Sequence, residues 1–458
     1  MNVVLISTYE LGHQPFGLAS PAAWLKEAGA SVTSLDLAVQ KLSEGPVASA
    51  RLIAFYLPMH TATRIAVTLL PKIREINPSA HLCFYGLYAP LNEGLLKSSG
   101  ADTIIGGEFE QELVALYRRL CEHPDDLRRA AQPQALVTLS RQQFLVPDRS
   151  DLPLPSKYAY LDMGDGSIRV AGYTEASRGC KHLCRHCPIV PIYNGMFRVV
   201  QREVVLEDIK RQVEAGARHI TFGDPDFFNG VGHAVPLVES LHRLYPHVTY
   251  DVTIKVEHLL KQRRHLPTLR DTGCLFVVSA VEAVDNNILR YFDKGHTRAD
   301  FIEAAGLLGD IGLTLNPTFV AFNPWITLEG YLDLLELLGE LRLVDHVAPI
   351  QYAIRLLIPA SSRLLELPEV QRLVQDFDEQ ALCYRWAHPD PRVDDLQRQI
   401  MKVVQRAGAK KESRRAIYSQ VLSLAAQAAG APSAKFWELN HGLPLAPIPP
   451  HMSEPWYC

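Results

Sequence analysis

The chain has 458 residues, enough for two or three domains, and its 47% hydrophobic and 21% charged content is that of a folded globular protein. A formal net charge of −4 provides no whole-molecule positive field to draw it to nucleic acid or an anionic membrane. No apolar run approaches the ~20 residues that span a bilayer, and the first residues lack the charged stretch and cleavage site of a secretory signal. With eight scattered cysteines offering no disulfide framework, the expected setting is the reducing cytoplasm.

In chain order, residues 2–7 predict a buried strand, followed by a polar loop over 9–14 and a helical pattern through Leu18, Ala22, Leu25 and Ala28, with Gly29 as its cap. Strands near SVTSLDL, LIAFYLP, HLCFYG and ADTIIGG then alternate with helices over about 62–76 and 110–120. This alternation predicts a parallel sheet covered on both faces, a Rossmann-like domain over 1–125. Residues 126–160, rich in Arg, Gln, Pro and Asp, read as a linker.

A second series begins near residue 161. Its predicted strands are GYTEASRG, HITFGDP, TYDVTIK, LFVVSAVE, LTLNPTFVAF and VAPIQYAIRLL, with helices near 204–216, 231–245, 257–271, 299–311 and 327–341. Six βα units over 161–385 predict a partial (β/α)6 barrel. Residues 386–458 predict a small helical region running into an extended, Pro-rich tail.

The chemistry is concentrated at Cys180, Cys184 and Cys187, three thiols within eight residues directly after a strand. Four-iron clusters normally take four thiolates. Three from one short loop leave the fourth iron open to a substrate or cofactor, as chelation by S-adenosylmethionine (SAM) requires. The competing reading is a zinc knuckle completed by His182 or His186, in a non-catalytic α/β scaffold; zinc sites usually add a second short ligand arm, and none is present.

The Cys-x3-Cys-x2-Cys loop at 180–187 resembles that of the radical SAM superfamily. The resemblance implies a [4Fe–4S] cluster on the three cysteines, which cleaves SAM reductively. Phe222-Gly223-Asp224-Pro225-Asp226 resembles the family's Gly-Gly-Glu motif, which implies SAM contacts at Gly223 and Asp224, although the second Gly and the Glu are replaced. The segment 279–297 is similar to the Gly-Ile-Glu-Ser…Lys-Gly-His-Thr region and implies a SAM-facing Glu282, with pairing to Lys294 as its structural alternative. Asn316, Thr318, Gln351 and Arg355 are polar within apolar runs, where they need partners or a ligand. The planar guanidinium of Arg355 suits a SAM carboxylate.

A Rossmann-like domain ahead of the barrel is the layout of the cobalamin-binding branch. The runs HITFGDPDFFNG, TYDVTIKVEHLL and WAHPDPRVD and the ending SEPWYC look most like the CUAEP/CCAEP-tail radical SAM proteins, although His451-Met452 stands where those have paired soft nucleophiles. Cobalamin is thus a candidate further cofactor. Leu11-Gly12-His13 lacks the Asp of the cobalt-ligating Asp-x-His-x-x-Gly, so base-off binding near Gly86, Gly106 and Gly107 is the form expected. His60 stands at the same sheet edge; Trp325, Trp456 and Tyr457 are candidates to cover the barrel mouth. The resemblance further implies an external electron donor such as flavodoxin or ferredoxin and a small-molecule or peptide substrate, with no nucleic acid and no membrane partner. No catalytic residue can be named from the sequence.

Overall fold

The computed structural model describes residues 1–123, 136–431 and 448–454. The first body is a six-stranded sheet of order β2-β1-β3-β4-β5-β6, in which every neighbouring pair is parallel. Its strands are β1 (Asn2–Ser7), β2 (Ser31–Asp36), β3 (Leu52–Tyr56), β4 (His81–Tyr85), β5 (Thr103–Gly107) and β6 (Val137–Thr138). Alternate residues of β1 go to opposite faces. Val4 and Ile6 join one core and Val3 and Leu5 the other, so both faces are buried, as near-continuous Val/Ile/Leu strands require. Helices α1 (Phe16–Glu27), α2 (His60–Ile76) and α3 (Glu110–Glu122) cover them.

The second body is a seven-stranded sheet of order β14-β13-β12-β11-β8-β7-β17. Its five parallel strands are β8 (Ile168–Thr174), β11 (His219–Phe222), β12 (Thr249–Thr253), β13 (Cys274–Glu282) and β14 (Thr314–Phe319). Between them run α4 (Arg202–Glu214), α5 (Val231–Leu244), α6 (Val256–Lys261), α7 (Arg298–Asp310) and, after β14, α8 (Leu328–Glu340). Caps mark several starts: Thr297 and Asp300 form a capping box on α7, and Thr327 caps α8. The expected helix over 257–271 is split at Gln262–His265, and its second part begins with Pro267 in its first turn.

The sixth barrel position differs from expectation. Residues 347–357 hold a 3-10 turn, Pro349–Tyr352, and one parallel bridge between Phe322 and Arg355. Pro349 has no N–H to donate to a ladder, and the Gln351 side chain accepts from Phe319 N at 2.8 Å, which satisfies the edge of β14 without a strand. Helices α9 (Pro391–Lys410) and α10 (Arg414–Ala429) then pack on the barrel core, with Tyr418 donating to Leu335 O.

Among the described residues, the contacts that join the bodies include the following. Strand β9 (Ser177–Gly179), paired with β10 (Phe197–Val199), carries Arg178, whose buried guanidinium reaches Glu110 at 2.7 Å and Glu175 at 2.6 Å. Phe109, Phe144 and Phe16 surround it at 4.6, 5.1 and 5.4 Å. A hairpin of β15 (Val374–Asp378) and β16 (Cys383–Trp386) docks on α2, with His60 Nε2 2.5 Å from Ala381 O; that contact, not a ligand, occupies His60. Lastly, β17 (His451–Met452) pairs antiparallel with β7 (Tyr160–Asp162) at the sheet edge, and Tyr9 donates to Glu454 at 2.7 Å.

Candidate iron–sulfur and SAM site

The cysteine loop leaves β9 at Gly179, whose φ of +77° and close approach to Tyr193 and Met196 O exclude a side chain. Asn229 holds its start, accepting from Lys181 N at 3.1 Å and donating to Gly179 O at 3.3 Å. Arg185 fastens its middle to the carbonyls of Arg290 and Tyr291, each at 3.1 Å. The three thiols act on one another electrostatically. Burial pushes Cys180 up to about 11 and Cys187 up to about 12, so both thiols would give up protons on taking a metal. Lys255 Nζ lies 3.6 Å from Cys184 Sγ, and Lys294 acts on Cys187. Two buried ammonium groups beside three thiols favour their charged, ligating forms.

Around this cradle lie acids and imidazoles. Glu282 ends β13 at φ +69°, beside a register shift in the β13–β14 pairing, an uncommon backbone for a residue other than glycine. Its carboxylate is 3.2 Å from His186 Nε2 and 3.4 Å from Lys294 Nζ. Burial alone would raise it, but Lys294 and His186 prevail and hold it at about 2. His182 lies 3.4 Å from Asp226 and 3.5 Å from Glu257, while His258 Nδ1 is 2.6 Å from Asp226. Cys180, His182 and Asp226 could also gather round a metal ion, but that group leaves out Cys184 and Cys187. The three-thiol arrangement is the one that uses every cysteine of the loop.

Gly223 and Asp224 follow β11 at the same end of the barrel. A Cβ on Gly223 would stand 1.9 Å from the Tyr173 hydroxyl, so only glycine fits. Asp224 accepts from Ala176 N at 2.9 Å and Ser177 Oγ at 2.5 Å, and burial raises its carboxyl to about 7. Inside the sheet, Asn316 Oδ1 and Thr318 Oγ1 are buried without a hydrogen-bond partner. Orphaned polar atoms in a barrel lumen are what a polar ligand such as SAM would satisfy.

Arg355 is committed elsewhere. Its guanidinium ion-pairs with Asp394 at 2.5 Å, donates to Trp386 O at 2.8 Å and stacks 3.5 Å over the Trp386 ring. The isolated bridge to Phe322 turns it towards α9, so it ties β16 and α9 to the barrel instead of offering its fork to a carboxylate. Gln351 is likewise used on the backbone of β14. Trp325 stacks on Tyr291 at 4.4 Å and meets Phe292 edge-on, which packs it behind the cysteine loop. Trp456 and Tyr457 lie outside the described residues.

Sequence reasoning missed Lys255, Asn229 and the Asp226–His258 pair. Lys255, a cation directly after the strand of TYDVTIK, was the readable signal; the partners of the others are long-range. At the first sheet's edge, Gly86, Gly106 and Gly107 meet the chain's own atoms: Tyr56 and Leu57 O, Pro90, and Thr138 O. The Tyr56 ring also fills the space above Gly17. His13 stacks on Tyr173 at 4.7 Å, and burial keeps it neutral, at about 4.

Residues 174–338 match the family model of the Radical SAM superfamily, and the barrel is a radical SAM domain. In fold the chain is similar to cobalamin-dependent members of that superfamily. It aligns with the cobalamin-dependent S-adenosylmethionine radical enzyme OxsB at TM-score 0.63 and 14% identity, over 88% of this chain and 66% of that one. It aligns with the radical S-adenosylmethionine methyltransferase TsrM from Kitasatospora setae at TM-score 0.58 and 15% identity, over 75% and 72%. A hopanoid C-3 methylase of Methylococcus capsulatus is 25% identical over 160 residues, 35% of this chain and 30% of that protein. The chain thus spans less than a third of that relative's length.

Proposed function

We propose that the protein is a radical SAM enzyme, which holds a [4Fe–4S] cluster on Cys180, Cys184 and Cys187 and binds SAM against Gly223, Asp224 and Glu282. The observation that carries this reading is the three-cysteine loop, with Lys255 beside Cys184 and Lys294 acting on Cys184 and Cys187, within residues that match the Radical SAM superfamily model. When bound, the cluster supplies the electron that cleaves SAM.

The chain's own residues do the rest. Asn229 and Arg185 hold the loop in place. Lys255 and Lys294 offset the negative charge of the thiolates. Asp224 offers a carboxylate to the SAM ammonium, and Thr318 and Asn316 line the lumen with free acceptors. The first body and β17 close the barrel's open side against water. An external one-electron donor and a small-molecule substrate complete the reaction. The relatives' methylase and methyltransferase names favour transfer of a SAM-derived group. Among the described residues, no helix is long and apolar enough to cross a membrane.

Anaerobic purification tests this reading. The expected product is a brown protein with about four irons per chain that converts SAM under dithionite, with the iron lost in Cys184→Ala. A colourless protein with one zinc overturns it. Product analysis separates the chemistries, since 5′-deoxyadenosine, S-adenosylhomocysteine and methylthioadenosine arise from different ones.

A further inference from the structure

The outer face of the cysteine loop reaches solvent although its first two thiols do not. Cys180 and Cys184 are buried, yet Leu183, which directly precedes Cys184, is 40% exposed. Met196, in the turn that leads into β10, is 42% exposed. The two segments touch: Leu183 Cδ2 lies 3.4 Å, and Lys181 O 3.5 Å, from the place a Cβ would take on Gly195. The exposed Lys181 holds its Nζ 5.1 Å from the centre of the Phe197 ring. Lys181, Leu183, Met196 and Phe197 therefore form one continuous surface over the thiols. Single exposed apolar side chains are ordinary, but a contiguous group rimmed by charge marks a contact surface.

The rim is cationic, and among the described residues its charges are not ion-paired. Arg185 spends its guanidinium on the carbonyls of Arg290 and Tyr291. Arg198 spends its own on the carbonyls of Leu139 and Phe197, with Met196 Sδ 4.0 Å away. Lys181 has the Phe197 ring beside it. Carbonyl and aromatic partners hold these groups in place without cancelling their charge. The whole chain carries a formal net charge of −4, so an acidic macromolecule is drawn only to a local surplus of this kind.

We infer that this face is the docking surface for the electron donor, an acidic one-electron carrier protein whose carboxylates meet Lys181, Arg185 and Arg198 and whose apolar surface seats on Leu183 and Met196. This rests on the radical SAM reading and adds to it where the donor binds and what its surface carries. One electron leaves the reduced carrier and arrives at the cluster on the three cysteines; the carrier is oxidised, the cluster is reduced, and no bond forms or breaks. The place suits the task because a partner seated on Leu183 is one residue from Cys184.

The test uses the full-length, cluster-loaded protein with two reductants, a reduced acidic flavodoxin and titanium(III) citrate, which is too small to need a docking surface. Bleaching of the cluster absorbance is followed by stopped flow. The flavodoxin rate is expected to fall about tenfold from low salt to roughly 0.2 M, as attraction between opposite charges is screened. Met196→Glu and Lys181→Glu are each expected to lower the flavodoxin rate about tenfold at low salt and to leave the titanium rate within about twofold of wild type. Lys181→Arg, which keeps the charge, is expected to retain the flavodoxin rate. Leu244→Glu, at an exposed site at the end of α5, is expected to change neither rate. Unchanged flavodoxin rates in Met196→Glu and Lys181→Glu, equal slowing of both reductants, or no reduction by flavodoxin where titanium reduces the cluster overturns the inference. Iron content and SAM cleavage under titanium are measured on the same preparations. A wild-type protein without iron sinks the radical SAM reading and the docking surface with it. Iron and SAM cleavage, with flavodoxin reduction indifferent to the variants, sink the docking surface alone.

Discussion

His186 and Glu282 meet across the cysteine loop, Nε2 to Oε1 at 3.2 Å, although 96 residues separate them in the chain. His186 directly precedes Cys187, and Glu282 is held at φ +69° at the end of β13. The pair couples the loop that would carry the cluster to the strand end that would face SAM, with Lys294 as the third member.

Removing Lys294 from that group leaves a buried carboxylate without its main partner. Lys294→Met is expected to cost ~3–5 kcal/mol in urea unfolding, and Lys294→Met with Glu282→Gln substantially less, because no charge is then stranded. Folding lowers the Glu282 carboxyl to about 2, below the unfolded value of about 4.3. The unfolded state therefore binds more protons between those values, and this contribution to stability is lost as pH falls from about 4 towards 2. A urea titration of wild type and Glu282→Gln over that window checks the sign.

Asp224 runs the opposite way. Its carboxyl is raised in the folded chain to about 7, so the folded state binds more protons than the unfolded state above about 4. Its contribution to stability therefore declines as pH rises from about 4 to 7 in the cofactor-free protein. If Asp224 receives the SAM ammonium, SAM binding tightens over the same rise. Asp224→Asn is expected to weaken SAM at least tenfold and to abolish the pH dependence, as measured by equilibrium dialysis.

Arg355 gives the contrasting result. With its guanidinium on Asp394 and over Trp386, Arg355→Ala is expected to lower stability by ~1–2 kcal/mol, discounted for its partial exposure. SAM affinity is expected to stay within twofold of wild type. A tenfold loss of SAM affinity with unchanged stability would return Arg355 to the cofactor site.

For cobalamin, the decisive group is Tyr56, whose ring occupies the space above Gly17 and Gly86. That ring is expected to limit the access of a corrin to this edge. Tyr56→Ala is expected to bind hydroxocobalamin at least tenfold more tightly than wild type by absorbance titration. Equal tight binding by both proteins would show that the ring is no obstacle.

The sequence by itself determined the features that are local. The spacing of Cys180, Cys184 and Cys187 names a three-thiolate loop, because ligand type and separation lie within eight residues. Alternating apolar strands and amphipathic helices name two α/β series, because burial on both faces writes a local pattern. The sixth strand misled for a local reason too: residues 347–357 are apolar enough for a strand, yet Pro349 and the Gln351 side chain replace the ladder. Only the tertiary structure decided where buried polar groups find partners. Arg355 reads in sequence as a ligand-binding fork and in space as the tie to Asp394 and Trp386. Glu10 has no distinguishing sequence pattern, and only the fold shows it buried. The physical reason is common to both cases. Periodicity records whether a side chain faces the core, but a buried charge is satisfied by groups that the chain brings in from far away, and nothing in its neighbours along the sequence encodes which they are.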